Sequence, residues 1–308
     1  MGPAAPEPSW RLRLAAALMR RLARPHLART ATPERAERDF DRAARAFRRP
    51  PFVRHVERPL GGVPAHWISA GPVAPRRVLL WLHGGAFVSG SGRTHLGLLA
   101  RLSSLSGVEA VAPDYRLLQQ APFPAAFDDG GAAWDGLMAL GHRPRDVVLG
   151  GDSAGGGLAF ALLAALLARG QRPAGLVALS PWCDLTLSGE SLRRLGPADA
   201  LIPAERMAEV VERYLAGADP RDPRASPVFA DFPGAPPALI QVGDGEALLS
   251  DAERMAARLA AAGGAVTLDL WPGAPHVWHV LDGWVPEARA ALRDAAAFVQ
   301  TSLESASR

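Results

Sequence analysis

The chain has 308 residues, 48% hydrophobic and 21% charged, with a formal net charge of +3; this is ordinary globular composition, fitting one large α/β domain or a domain with a small cap. Lysine is absent and the arginines are interleaved with Asp and Glu nearly everywhere, which argues against a nucleic-acid partner, while the single Cys183 excludes an internal disulfide framework. No apolar stretch reaches the roughly 18 residues of a membrane span, and the apolar run 14–19 is too short for a signal-peptide core and is followed by Arg20-Arg21, so a soluble, cytoplasmic protein is expected.

Residues 1–9 are Pro-rich and read as loose. Residues 10–24 place Leu14, Leu18 and Leu22 at four-residue spacing among arginines, a basic amphipathic helix. It is expected to pack on the domain's own surface, the alternative being an interfacial membrane contact. Thr32-Pro33-Glu34 opens a second helix, with Thr32 as N-cap and Pro33 at the first position, running to about residue 48 before Pro50-Pro51. Strands follow at 53–58 and 63–69, around the Gly61-Gly62 turn, and then at 77–82, 107–112, 147–149, 176–179, 238–242 and 265–270. Helical patterns fall between them at 94–105, 124–140, 154–169, 204–215, 251–262 and 285–303. The alternation predicts an α/β fold, a mostly parallel sheet covered on both faces. Residues 185–226 are longer than a crossover needs and read as an inserted cap. The expected division is residues 1–48 as part of the cap, 49–184 and 227–308 as the core, and 185–226 as the cap insert.

Gly151-Asp152-Ser153-Ala154-Gly155 stands between a β-branched apolar run and an Ala- and Leu-rich segment. A serine on a sharp strand-to-helix turn is a nucleophile elbow, and the helix N-terminus favours negative charge developing beside it. A serine hydroxyl is a poor nucleophile at neutral pH, so a base, a group orienting the base and oxyanion donors must lie elsewhere. Trp81-Leu82-His83-Gly84-Gly85-Ala86-Phe87 follows the third strand; its glycines let the backbone approach a reacting carbonyl. The amides of Gly84, Gly85 and Ala154 are the candidate donors, with His83 expected to hold the loop. The base is expected after the last strand, where His276 follows Pro272, Gly273 and Pro275; His279, three residues on, reads as a partly buried polar residue. For the acid, three carboxylates compete after the strand 238–242. Ser250 and Glu253 look like a capping box with Asp251 in the first turn, and spacing leaves Asp244 and Glu246 equal.

His83-Gly-Gly-Ala-Phe-Val-Ser-Gly90, Asp114-Tyr-Arg-Leu117, Pro122-Phe-Pro-Ala-Ala126, Gly151-Asp-Ser-Ala-Gly-Gly156, Ser180-Pro-Trp-Cys-Asp-Leu-Thr186, Ala225-Ser-Pro227 and His276-Val-Trp278 run in the order found in the hormone-sensitive-lipase-like branch of the α/β-hydrolase fold, the bacterial family IV esterases, which the chain resembles. The resemblance implies an eight-stranded, mostly parallel sheet with a helical cap, and no cofactor or metal. Laid on the family's usual Asp-Pro-Leu-x-Asp-Glu, the acid falls on Glu246, as in a subgroup with Glu there. Two departures stand out: Ala86 replaces the third glycine of His-Gly-Gly-Gly, and Leu118-Gln-Gln-Ala121 replaces Ala-Pro-Glu-His.

The expected activity is that of a serine carboxylesterase acting on small or medium acyl esters or lactones through Ser153, His276 and Glu246, with Asp152 bracing the elbow. Phe87, Val88, Trp182, Leu185, Met207 and Trp278 are candidate pocket walls by their place beside the motifs. An amidase or peptidase with the same triad, or a non-catalytic small-ligand receptor of the same fold, are the alternatives. Residues 265–270 read as an exposed edge strand, and family dimers join through such an edge, so a homodimer is a further expectation.

Overall fold

The computed structural model describes residues 7–307. Of the stretch expected to be loose, residues 1–6 lie outside that range. Ser9, by contrast, N-caps the first helix: its hydroxyl accepts from the Leu12 amide and donates to Glu287 at 3.0 Å.

The eight strands are β1 (Val53–Glu57), β2 (Ala65–Ala70), β3 (Val78–Leu82), β4 (Glu109–Pro113), β5 (Val147–Asp152), β6 (Gly175–Leu179), β7 (Ala238–Gly243) and β8 (Val266–Trp271). They form one sheet in the order β1-β2-β4-β3-β5-β6-β7-β8. Only the β1–β2 and β2–β4 pairings are antiparallel; the remainder are parallel. This is the sheet the resemblance implies. The central strands read as unbroken apolar runs because helices cover both faces.

The helices are α1 (Trp10–Leu18), α2 (Arg24–Arg29), α3 (Pro33–Ala44), α4 (Leu96–Ser106), α5 (Ala125–Ala139), α6 (Ser153–Ala168), α7 (Glu190–Arg194), α8 (Met207–Leu215), α9 (Leu249–Ala261) and α10 (Pro286–Ala306). Residues of α4 and α10 pack on one face of the sheet around Leu79, Trp81, Val148 and Val177. Residues of α5, α6 and α9 fill the other around Leu80, Leu82, Leu149 and Ile240.

The N-terminal helix packs on the domain's own surface as expected, but through a different face. Leu14 and Leu18 are each 50% exposed and Leu22 is 66% exposed, whereas Leu12 is fully buried. The inner face runs through Leu12, Ala15, Ala16, Met19 and Ala23, a stripe at helical spacing made mostly of small residues. Leu12 docks against Trp278, Val285 and the first turns of α10. Between α1 and α2 the chain widens into a π-helical turn, Met19–Ala23. Pro25, in the first turn of α2, has no amide to continue the ladder, which accounts for the irregular turn before it.

The stretch 185–226 carries α7, α8 and short 3₁₀ turns. It is tied to the N-terminal helices: Arg24 pairs with Glu205 at 2.9 Å, Arg20 donates to the Ala198 carbonyl, and Arg206 donates to the carbonyls of Ala28 and Thr30.

Candidate active site

Strand β5 ends in Gly150-Gly151-Asp152, and α6 starts at Ser153 with no intervening loop. So abrupt a turn forces Ser153 into the left-handed region, at φ 52°, a conformation that costs a non-glycine residue about 1–3 kcal/mol. It also demands small neighbours. A Cβ on Gly155 would lie 2.1 Å from the Leu82 carbonyl oxygen and 2.3 Å from that of His83. The first turn of α6 therefore rests directly on the end of β3. Asp152, just before the serine, accepts from the Trp81 indole at 2.9 Å and from His95 at 3.2 Å. Burial works to raise its carboxyl, but His95 outweighs this and holds it below the ordinary value.

The end of β7 and the loop after β8 bring the partners. His276 Nε2 lies 2.9 Å from Ser153 Oγ, and His276 Nδ1 lies 2.7 Å from Glu246 Oε2. The other carboxylate oxygen, Oε1, accepts from the Gly243 amide and from the Ser180 hydroxyl, each at 2.7 Å. Glu246 can fold back onto Gly243 because its own amide closes a turn on the Gly243 carbonyl. His276 is buried, which disfavours its charged form, yet the hydrogen bond and charge of Glu246 dominate and raise it above 6.5. An imidazole so placed can take a proton from Ser153 and keep a stabilised positive charge.

The competing carboxylates are elsewhere. Asp244 is exposed, and its oxygen accepts from the Gly273 amide at 2.8 Å, pinning the turn after β7 to the loop after β8. Asp251 is buried and accepts from the Cys183 and Asp184 amides. The capping-box reading of Ser250 and Glu253 fails: α9 starts at Leu249 with no side-chain cap, and the Ser250 hydroxyl instead accepts from the Ser191 amide. A partner on α7 outcompetes the local one. His279 is fully buried, with Nε2 3.0 Å from Gln241 Oε1.

After β3, the loop places Gly85 at φ 123°, Ala86 at 56° and Phe87 at 60°. The amides of Gly84 and Gly85 donate to no protein acceptor among the described residues, and Ala154, in the first turn of α6, lacks an intrahelical acceptor. His83 is buried and stacks on Tyr115 with ring centroids 4.1 Å apart, its Nδ1 against the Gly84 carbonyl.

Phe87, Trp182, Leu185 and Met207 share one apolar cluster. Val88 is half-buried. Trp278 lies apart, packed with Leu12, Val285 and α10, so the structure does not bring it to the other wall candidates. Two residues escaped the sequence reading. Tyr214 stacks on Phe87 at 3.9 Å and carries a buried hydroxyl without a partner among the described residues. Ser180, at φ 47°, accepts from the Val277 amide while donating to Glu246, and so touches both the acid and the base loop. Its place in the Ser180-Pro-Trp motif was the available signal. Among the described residues, the one group of three side chains with metal-ligand spacing lies away from this site, at His55, Glu57 and His66.

A family model described as alpha/beta hydrolase fold matches residues 79–280. The chain is 41% identical over 244 residues to an acetyl-hydrolase of Streptomyces hygroscopicus, covering 79% of this chain and 81% of the relative. It is 37% identical over 267 residues to an esterase of Acinetobacter venetianus, covering 86% and 88%. The crystal structure of an esterase from the bacterial hormone-sensitive lipase family superposes with a TM-score of 0.90 at 36% identity, covering 97% of this chain and 100% of that one.

Proposed function

Because the chain belongs to the α/β-hydrolase fold family, among the bacterial hormone-sensitive-lipase-like carboxylic ester hydrolases, we propose that it cleaves esters through Ser153, His276 and Glu246 by way of an acyl-enzyme. The observation that carries this reading is the unbroken hydrogen-bond chain from Glu246 through His276 to Ser153, at 2.7 and 2.9 Å. Ser153 attacks the carbonyl carbon as His276 takes its proton. The amides of Gly84, Gly85 and Ala154 receive the oxyanion. His276 then protonates the leaving alcohol, and water repeats the sequence on the acyl-enzyme.

Of the expected cap segment 1–48, residues 1–6 lie outside the described residues; residues 7–48 and 185–226 act together as the cap over the core, and the ties from Arg20, Arg24 and Arg206 support this. The walls are Phe87, Val88, Trp182, Leu185 and Met207. They are bulky and apolar, and they suit small or medium acyl esters and lactones; the acetyl-hydrolase relative agrees with a short acyl group. In β8, the edge strand, Leu270 is 46% exposed, which supports a dimer joined along it. Sedimentation should then show a dimer that Leu270→Glu dissociates; a monomeric wild type would remove that element.

The enzymatic test is a panel of p-nitrophenyl esters of rising acyl length, with the matching anilides alongside because amide cleavage would use the same groups. Hydrolysis should be fastest on short esters and vanish in Ser153→Ala. No turnover of any ester, or turnover unchanged in that variant, would sink the mechanism.

A further inference from the structure

At the opposite end of the sheet from β7 and β8, strands β1 and β2 pair so that Glu57 stands opposite His66 and His55 opposite Ile68. His55 and Glu57, two residues apart, project from the same face of β1, and the cross-strand position brings His66 to that face. The two imidazoles meet: His55 Nε2 lies 2.7 Å from His66 Nδ1. One ligand atom from each of His55, Glu57 and His66 falls within 4.8 Å of the others.

The other side of His66 is fixed. Its Nε2 lies 2.8 Å from Asp114 Oδ2, and Asp114 is itself held by the Gly92 amide at 2.8 Å. A Cβ on Gly92 would come within 2.6 Å of the His66 ring, so the ring is clamped between loop and strand. A carboxylate on Nε2 selects the tautomer that protonates Nε2 and leaves a lone pair on Nδ1, facing His55. Carboxylate, imidazole and metal in line is the arrangement that orients most histidine ligands.

We propose that His55 Nε2, His66 Nδ1 and a Glu57 carboxylate oxygen form a binding site for a borderline divalent cation of the zinc type, clipping the edge strand β1 to β2. Imidazole and carboxylate donors suit such ions. With metal–nitrogen distances near 2.0–2.1 Å, tetrahedral coordination sets the two nitrogens about 3.3 Å apart. The half-buried His55 ring therefore withdraws slightly and gives up the proton it now shares. Glu57 also pairs with Arg93, but both side chains are more than half exposed, and such a pair yields readily. Three protein ligands leave the fourth position to water.

The test uses the full-length enzyme without an affinity tag, stripped by chelation and titrated with Zn²⁺ by calorimetry and with Co²⁺ by absorption. One equivalent should bind, the Co²⁺ form showing the visible bands of a low-coordinate nitrogen–oxygen site, and Zn²⁺ should raise Tm. His55→Ala and Glu57→Gln should lose that equivalent and the Tm rise while still hydrolysing ester, which shows that they are folded. Asp114→Asn should weaken binding by about 10–100-fold. His66→Ala removes the most buried ligand; if it does not fold, the two β1 variants decide. Absence of a saturable equivalent, or one that survives both β1 substitutions because it sits at His276 or elsewhere, would overturn the site.

Discussion

Removing the Glu246 carboxylate would strand His276 Nδ1 in a buried site and free the ring to adopt the wrong tautomer. Loss of the orienting carboxylate costs about 10⁴ in kcat in the trypsin-type triad, so Glu246→Ala should lower kcat by about 10³–10⁴. Asp244→Ala, which removes only a turn contact to Gly273, should stay near wild type. A steady-state comparison on one ester separates the two. As the proposed base, His276 must be neutral to accept a proton; burial lowers it, but Glu246 outweighs this and raises it above 6.5, so kcat/KM should fall on an acid limb centred above 6.5. In Glu246→Gln that limb should move to lower pH. In the proposed mechanism Ser180 positions the acid and the base loop. In Ser180→Ala, Glu246 Oε1 and the Val277 amide each lose a partner; one hydrogen bond of about 1.4 kcal/mol corresponds to roughly tenfold in rate. The loss should appear in kcat with KM held. At this scale the elbow, the loop glycines and His276 were legible because each stands beside turn chemistry. The acid was not legible from spacing, since three carboxylates share one short stretch of chain; only the resemblance pointed to Glu246, whose reach to His276 depends on how the turn after β7 folds back on Gly243.

The elbow works only because α6 begins directly against the end of β3. Gly155→Ala would push a methyl into the Leu82 and His83 carbonyls, displacing backbone that also forms the Gly84-Gly85 loop. Overpacking of this kind costs typically 1–3 kcal/mol, so the midpoint of denaturant unfolding should fall. Activity should fall further than stability accounts for, since both proposed oxyanion elements move; a variant as active and as stable as wild type would show that the contact yields freely. All eight strands were legible from apolar runs and turn residues. The face of α1 was not. A four-residue spacing of large leucines drew the eye to Leu14, Leu18 and Leu22, while burial follows Leu12 and a line of small residues that fit against α10.

Across the whole molecule, stability carries the signature of buried ionisable groups. Burial lowers His83 to about 4 and His279 to about 3. Unfolded histidines take up protons below 6.5 while these two stay neutral in the fold, so the stability they contribute is present above 6.5 and lost as pH falls. Asp251 acts in the opposite sense. Burial pushes it up to about 7, so its contribution is present below the ordinary 3.8 and lost as pH rises towards 7. Urea unfolding between pH 4 and 6.5 should give a shallower acid loss in His279→Gln, by about 1.4 kcal/mol per pH unit for one proton, and a steeper one in Asp251→Asn; no change in either slope would mean that these groups titrate alike in both states. The sequence by itself determined the fold class, the order of strands and helices along the chain, and which serine and histidine to propose as nucleophile and base, because local pattern and turn chemistry act over a few residues. The tertiary structure brought Glu246, to which only the resemblance had pointed, against His276; it alone decided that Ser180 steadies that carboxylate, which face of α1 is buried, and that His55 and Glu57 face His66. Each of these depends on segments far apart in the chain being brought together by the sheet, and linear spacing carries no record of that distance.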